Sequence, residues 1–208
     1  MKRVACLAFV GLMVLAACSR QPADEPTASQ QPAQWQAVAP AEMTETQKAQ
    51  HELGLAAVNA LMSELMGELT AALDSGGPTE AIGVCRETAP TIAARVGEQF
   101  GLEIGRTSFA LRNPGNTAPK WADGLVSSQV DAPAFLAGPG GELGALLPIR
   151  LRAECQMCHG AAETVAEEVQ AAIAEHYPED KAVNFAEGDL RGWFWFETPA
   201  GSEGPPAT

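Results

Sequence analysis

Cys155-Gln156-Met157-Cys158-His159-Gly160 is the stretch on which the reading of this chain turns. It has the form C-x-x-C-H, the attachment site of a c-type haem. Two thiols with two residues between them stand about one helical turn apart, and each can form a thioether to a porphyrin vinyl group. The next residue, His159, then lies under the ring, where its imidazole nitrogen reaches the iron. The pair Cys155/Cys158 also suits zinc or a dithiol enzyme. Zinc wants a second ligand pair, and beyond Cys18 only Cys85, His51 and His176 remain, no two of them closely spaced. A dithiol enzyme places its pair after a strand and opens a helix with it. Strand character does precede Cys155, so that alternative stays open. The principal expectation is one haem c, with the rest of the chain folded around it.

Export bears on that expectation, because c-type haem is attached outside the cytoplasm. Lys2 and Arg3 precede an apolar run from Val4 to Ala17. The run is shorter than the roughly 20 residues that span a bilayer and fits a signal peptide over residues 1–17. It ends Leu15-Ala16-Ala17-Cys18, which resembles a bacterial lipobox, so Cys18 is the expected lipidation site. Ser19 follows where an aspartate would retain a lipoprotein at the inner membrane, so the expected location is periplasmic, anchored by lipid, leaning to the outer membrane. Residues 18–43, rich in Gln, Pro and Ala, read as a disordered tether. As a coil of about 25 residues its ends sit roughly 25–30 Å apart. Trp35 within it reads as incidental.

The 208-residue chain carries 13 basic and 26 acidic side chains, a net charge of -13. Loss of Lys2 and Arg3 with the signal peptide leaves 11 against 26, or -15. Such a surface repels nucleic acid and anionic lipid headgroups and suits solubility or a basic protein partner.

The remaining elements follow from periodicity and punctuation. Thr44 with Gln47 fits a capping box opening a helix to about Asp74. Leu61, Leu65, Leu69 and Leu73 form its apolar stripe, flanked by Val58, Met62 and Met66. The methionines read as packing and His51 as a stripe-edge histidine. Ser75-Gly76-Gly77-Pro78 stops the helix. Thr79 then caps a second one from Glu80 to about Thr88, and Pro90 kinks it or starts another that reaches Phe100. Ile82, Cys85, Ala89, Ile92 and Val96 share a face, so Cys85 is expected to be buried. It is also the cysteine left over once the haem pair is assigned.

Leu102–Phe109 reads as a strand with Arg106 on the inward face of Leu102 and Ile104, followed by the turn loop Arg112-Asn113-Pro114-Gly115-Asn116. Arg106 and Arg112 have two readings, a surface ion pair or a bidentate grip on haem propionates. Lys120–Ser128 is expected as a short helix with Trp121 and Leu125 inward. Ala134–Leu136 and Leu143–Arg152 form a hairpin whose second strand leads into Cys155. Thr164 with Glu167 caps a further helix ending at Tyr177-Pro178, with His176 on its apolar face as a fallback ligand for the far side of the iron. Trp193–Phe196, aromatic on both faces, reads as a central strand. Residues 198–208 read as a disordered tail.

The order of these features resembles a known family, the haem-c-binding, PAS-like family long labelled a domain of unknown function. Its members are stand-alone exported haem proteins and extracytoplasmic sensor domains. The matching stretches are Ala81-Ile82-Gly83-Val84-Cys85 with Ala89-Pro90, Arg106-Thr107-Ser108, Arg112 to Asn116, Cys155 to Gly160, and Tyr177-Pro178 through Gly188-Asp189-Leu190-Arg191-Gly192. Together they place the domain at residues 44–197. Lys181 to Phe185 departs from the family pattern, and the Gly-rich hairpin around Gly138–Gly144 reads as an insertion; neither is expected to touch the ligands. The resemblance implies an α+β fold, a PAS-like antiparallel sheet with N-terminal helices packed on it and a single haem between. It also implies His159 as one axial ligand and Cys85 as the other. Iron deprotonates a coordinating thiol, and thiolate ligation lowers the reduction potential relative to His/Met ligation.

Three functions compete. The first is low-potential electron transfer or a redox component on a mobile lipid tether, exchanging electrons with a redox or signalling protein. The second is a haem-based redox or gas sensor module acting through a separate partner. The third is a haem-free dithiol or zinc-binding module. Peroxidase catalysis is disfavoured because no distal acid–base pair is visible, and the chain reads as a non-enzymatic haem protein.

Overall fold

The computed structural model describes residues 34–205. The expected signal peptide, Cys18 and the first part of the tether lie outside the described residues. The chain forms β1 (Gln36–Ala37), α1 (Glu45–Gly83), a π-helical turn (Val84–Thr88), α2 (Ala89–Phe100) and β2 (Glu103–Thr107). There follow α3 (Asp123–Ser127), β3 (Ala134–Ala137), β4 (Leu143–Arg150), α4 (Gln156–His159), α5 (Glu167–His176) and β5 (Leu190–Thr198). The strands make one antiparallel sheet in the order β1-β3-β4-β5-β2. The architecture is α+β. The last strand in sequence is central, so the β4–β5 connection, which carries the C-x-x-C-H motif and α5, must leave and re-enter the middle of the sheet.

α1 begins where its sequence says. Thr44 accepts from the Gln47 N–H and the Gln47 side chain accepts from the Thr44 N–H, both halves of a capping box. The expected stop is a break at Gly77, whose φ of 71° suits a residue without Cβ; Pro78 restarts the helix. The next irregularity, Val84–Thr88, precedes Pro90. Proline offers no N–H to the preceding turn, and the ladder widens so that the Ala89 N–H reaches the Val84 carbonyl five residues back. The cap expected from Thr164 and Glu167 does not form. Thr164 donates to the Ala161 carbonyl at 2.8 Å, and α5 starts after Ala166 without a side-chain cap.

The sheet is covered on both faces. Ile104, Leu143, Ala145 and Phe196 pack against Leu53, Ala57, Leu61 and Val96 of the helices. At Gly54 a Cβ would lie 2.3 Å from the Phe196 ring, so glycine lets α1 approach the central strand. On the other face Trp193 and Leu146 pack against Ala122 and Trp121. The β5 residues alternate between these two cores, as a strand buried on both sides requires.

Two expected boundaries move. Residues 34–43 were expected in the tether but belong to the folded body: Gln36 and Ala37 pair with β3, Met43 is buried, and Trp35 stacks on Trp121 at 5.3 Å. An indole with an apolar surface to cover and a sheet edge with free N–H groups together outweigh the Pro/Ala-rich composition. At the other end, Thr198 is a buried strand residue and the Pro199 carbonyl accepts from the Gln50 side chain at 2.8 Å, so the tail starts later than residue 198.

Candidate cofactor site

Leu61 and Leu65 of the α1 stripe pack in the core against the sheet, whereas Leu69 and Leu73 lie outside that core. Together with Leu65, Ile82, Leu151 and Phe194 they wall a cavity of about 510 Å³, within the usual range for small-molecule and cofactor sites. Cys85, Cys155, Cys158 and His159 all line it. Residues 70 positions apart in sequence thus face one space, and the leucine repeat that sequence periodicity reads as core is half core and half cavity wall.

The motif is held from behind by the segment after α5. Lys181–Phe185, expected to stay clear of the ligands, supplies the backbone that fixes them. The Ala182 carbonyl lies 2.8 Å from His159 Nδ1, and since a carbonyl only accepts, Nδ1 carries the proton. The Phe185 and Asn184 N–H groups donate to the His159 and Gly160 carbonyls, each at 2.9 Å. Burial, with Arg112 and Arg191 nearby, pushes the imidazole down to about 3, so the ring is neutral and Nε2 has a free lone pair. A carbonyl that holds Nδ1–H in this way fixes the tautomer and the ring orientation a metal-ligating histidine needs.

Cys85 sits in the π-helical turn and is half-buried, where the helical pattern implied full burial. Ala89, Ile92 and Val96 of the stripe pack in the main core, whereas the open side of Cys85 is the cavity that Ile82 also lines. Cys155 and Cys158 are also half-buried free thiols. Burial holds the Cys158 thiol above its ordinary value; Arg112 opposes this, and the nearby Cys85 and Cys155 reinforce it. Among the described residues no group of three or more His, Cys, Asp or Glu side chains is arranged to hold a metal ion directly.

Five arginines line the cavity: Arg106, Arg112, Arg150, Arg152 and Arg191. Arg112 is buried and engaged. Its Nε and Nη2 donate to the two Asp180 oxygens at 3.1 and 3.0 Å, and Nη2 also reaches the carbonyls of Cys158 (2.6 Å) and Ala182 (3.1 Å). Arg112 lines the cavity and, through these bonds, ties the turn loop to the motif. Arg106 faces the cavity, as its strand register implied, and among the described residues it has no carboxylate partner. Burial lowers its pKa, with Cys85 and Tyr177 nearby countering the effect. Arg191 donates to Ser108 and the Ala110 carbonyl and lies over the Phe185 ring, but its buried Nε has no partner. Burial beside Arg112 and Arg106 brings it down to about 10.

His176, the fallback ligand, does not line the cavity. Arg86 donates to its Nδ1 at 2.8 Å on the outer side of α5. The helical angle placed it on the apolar face, but it is the terminal residue of α5, beyond the buried Val169, Ala172 and Ile173. His51 packs edge-on to Phe135 in the main core. Sequence reading quotes Tyr177 and Arg191 within the family-like stretches but assigns them no site role, and it passes over Asp180 and Ala182; Tyr177 lines the cavity with a buried, unpartnered hydroxyl. Arg191 carried a weak signal, an arginine set between turn glycines before an aromatic strand.

A profile of the Tll0287-like family, described as Tll0287, matches residues 21–199. The chain belongs to the Tll0287-like family. The resemblance read from the Val-Cys helix, the Arg-Asn-Pro loop and the haem motif is thereby borne out. The crystal structure of the cyanobacterial heme-protein Tll0287 superposes with a TM-score of 0.56 at 23% identity, covering 72% of this chain and 95% of that one. That likeness establishes the shared fold. No curated protein matches the sequence significantly.

The residues present fit a c-type haem. Two thiols at C-x-x-C spacing and a neutral imidazole with Nε2 free line an apolar cavity. A third sulfur faces the same space, and unpaired guanidinium groups offer counter-charge for carboxylates.

Proposed function

We propose that this member of the Tll0287-like family is an exported monohaem c-type protein serving low-potential electron transfer or a redox relay. The observation that carries the reading is the convergence of Cys85, Cys155, Cys158 and His159 on one apolar-walled cavity. Cys155 and Cys158 would hold the haem through thioethers to its vinyl groups, and His159 Nε2 and the Cys85 sulfur would hold its iron. Haem bound there supplies a one-electron iron couple. Ala182 sets the imidazole tautomer, and the leucines and Phe194 limit water. In this reading the sheet is PAS-like, with the haem between it and the helices. That the solved structure of like fold is of a haem protein supports it.

The chain reaches its working place through a signal peptide at residues 1–17 and lipid on Cys18, at the periplasmic face, with the outer membrane favoured. Among the described residues no helix is long and apolar enough to cross a membrane. The acidic surface suits a basic redox or signalling partner.

A haem-stained denaturing gel with a reduced spectrum tests the core of this, on protein made with a c-type maturation system. Covalent stain is expected in the parent and greatly reduced in Cys155→Ala and Cys158→Ala. A colourless parent containing zinc or no metal sinks it. The π-helical turn at Cys85 favours a second reading, redox or gas sensing by release of the sulfur. CO uptake by the reduced protein with loss of sulfur ligation selects sensing; six-coordination in both states selects electron transfer.

A further inference from the structure

Charge pairing around the cavity leaves a remainder. Of its five arginines, Arg112 is paired with Asp180, Arg150 with Asp131 and Arg152 with Glu154. Arg106 and Arg191 have no carboxylate partner among the described residues. Isolated cations in a partly desolvated cavity are costly and call for an anion. Under the haem reading the Cys155 and Cys158 thiols are consumed as thioethers and His159 holds the iron, so the Cys85 sulfur, near both arginines, is the competing anion that the test must separate.

The two arginines lie at one place. Arg106 stands opposite Phe194 in the β2–β5 ladder, and Arg191 is three residues before Phe194 on β5. Arg191 bonds Ser108, two residues after Arg106. Tyr177 adds a third group that calls for a partner. It is 5% exposed, lines the same cavity, and its hydroxyl has no hydrogen bond. A buried hydroxyl without a partner is uncommon and marks an absent one. Tyr177 and Arg106 are near enough to perturb each other's ionisation.

We infer that Arg106 and Arg191, with the Tyr177 hydroxyl, form the corner that binds the two carboxylates of the tetrapyrrole, and that Arg112, Arg150 and Arg152 do not. The inference rests on the haem reading and replaces Arg112 with Arg191 in it. Guanidinium groups pair with carboxylates bidentately, and Tyr177 donates to the same oxygens. Arg112 keeps the motif and the turn loop together.

The test is the pH dependence of the reduction potential, measured on haem-loaded full-length chain. In the parent the carboxylates stay ionised and the potential is flat across neutral pH. In Arg106→Gln and Arg191→Gln a carboxylate loses its cation in an apolar cavity and its pKa rises towards neutrality. Its protonation removes a negative charge near the iron, so the potential rises as pH falls. Arg106→Lys and Arg191→Lys keep the charge and restore most of the flat profile, which a purely structural role would not do. Tyr177→Phe gives a weaker slope in the same direction. Covalent haem with a flat, parent-like profile in both glutamine variants overturns the inference and leaves the haem reading intact. A new slope in Arg112→Gln alone overturns it too. So does an Arg106→Gln variant that alters the thiolate bands while the potential stays flat, since that assigns Arg106 to the Cys85 sulfur. A parent without covalent haem removes both readings.

Discussion

Arg112 holds Asp180 through two parallel hydrogen bonds and places the same Nη2 2.6 Å from the Cys158 carbonyl. Both side chains of the ion pair are 8% exposed. One guanidinium thus joins the loop after β2, the segment after α5 and the haem motif.

Removing either partner leaves the other charge buried and uncompensated, which costs about 3–5 kcal/mol. Arg112→Met and Asp180→Asn should each lower stability by that order in chemical denaturation. The double variant should cost less than the sum, because it leaves no lone charge. An exposed pair such as Lys48–Glu45 should show almost nothing in the same assay.

Cys85→Ala should keep covalent haem and lose the thiolate features of the ferric spectrum. Cys85 contributes to the cavity wall and to no backbone anchor of the motif. A parent-like ferric spectrum in the variant would exclude sulfur ligation from this residue.

Leu61 is fully buried between α1 and the sheet. Leu61→Ala should destabilise the fold by about 2–5 kcal/mol, since the sheet side of the stripe cannot collapse into the gap. Leu73→Ala, at the cavity wall, should shift the haem spectrum more than the unfolding midpoint.

Tyr177 is the single tyrosine of the chain, so its ionisation can be followed by difference absorbance. Burial raises it from 10.0 to about 12, with nearby Cys85 adding to the shift and the neighbouring arginines opposing it. Folding therefore favours the protonated phenol. That stabilisation is complete below pH 10 and disappears as pH rises through about 12. Tyr177→Phe keeps the ring without the ionisation, so its alkaline unfolding midpoint should lie above the parent's. Ionisation near 10 in the folded parent would contradict the burial of the hydroxyl.

Much of the fold was readable because its signals are local. The Thr44/Gln47 box, the leucine repeat, the glycine at the helix break and the Gly-rich hairpin each act within one turn or two strands. The site was readable as far as residue type allowed: a C-x-x-C-H motif, a leftover cysteine and an arginine on an inward face. Trp35 was misread because its partner, Trp121, is far away in sequence, and composition alone assigned it to the tether.

The sequence by itself determined the main helices, the strands β2 to β5, the inner place of β5 and the chemistry of the Cys155–His159 motif, since these depend on periodicity and short-range hydrogen bonding. Only the tertiary structure decided that Cys85 faces open space, that His176 faces away, and that Asp180 claims Arg112 while Arg106 and Arg191 have no acid. Whether a charge is paired depends on distances between segments remote along the chain, which packing sets and residue order does not encode legibly.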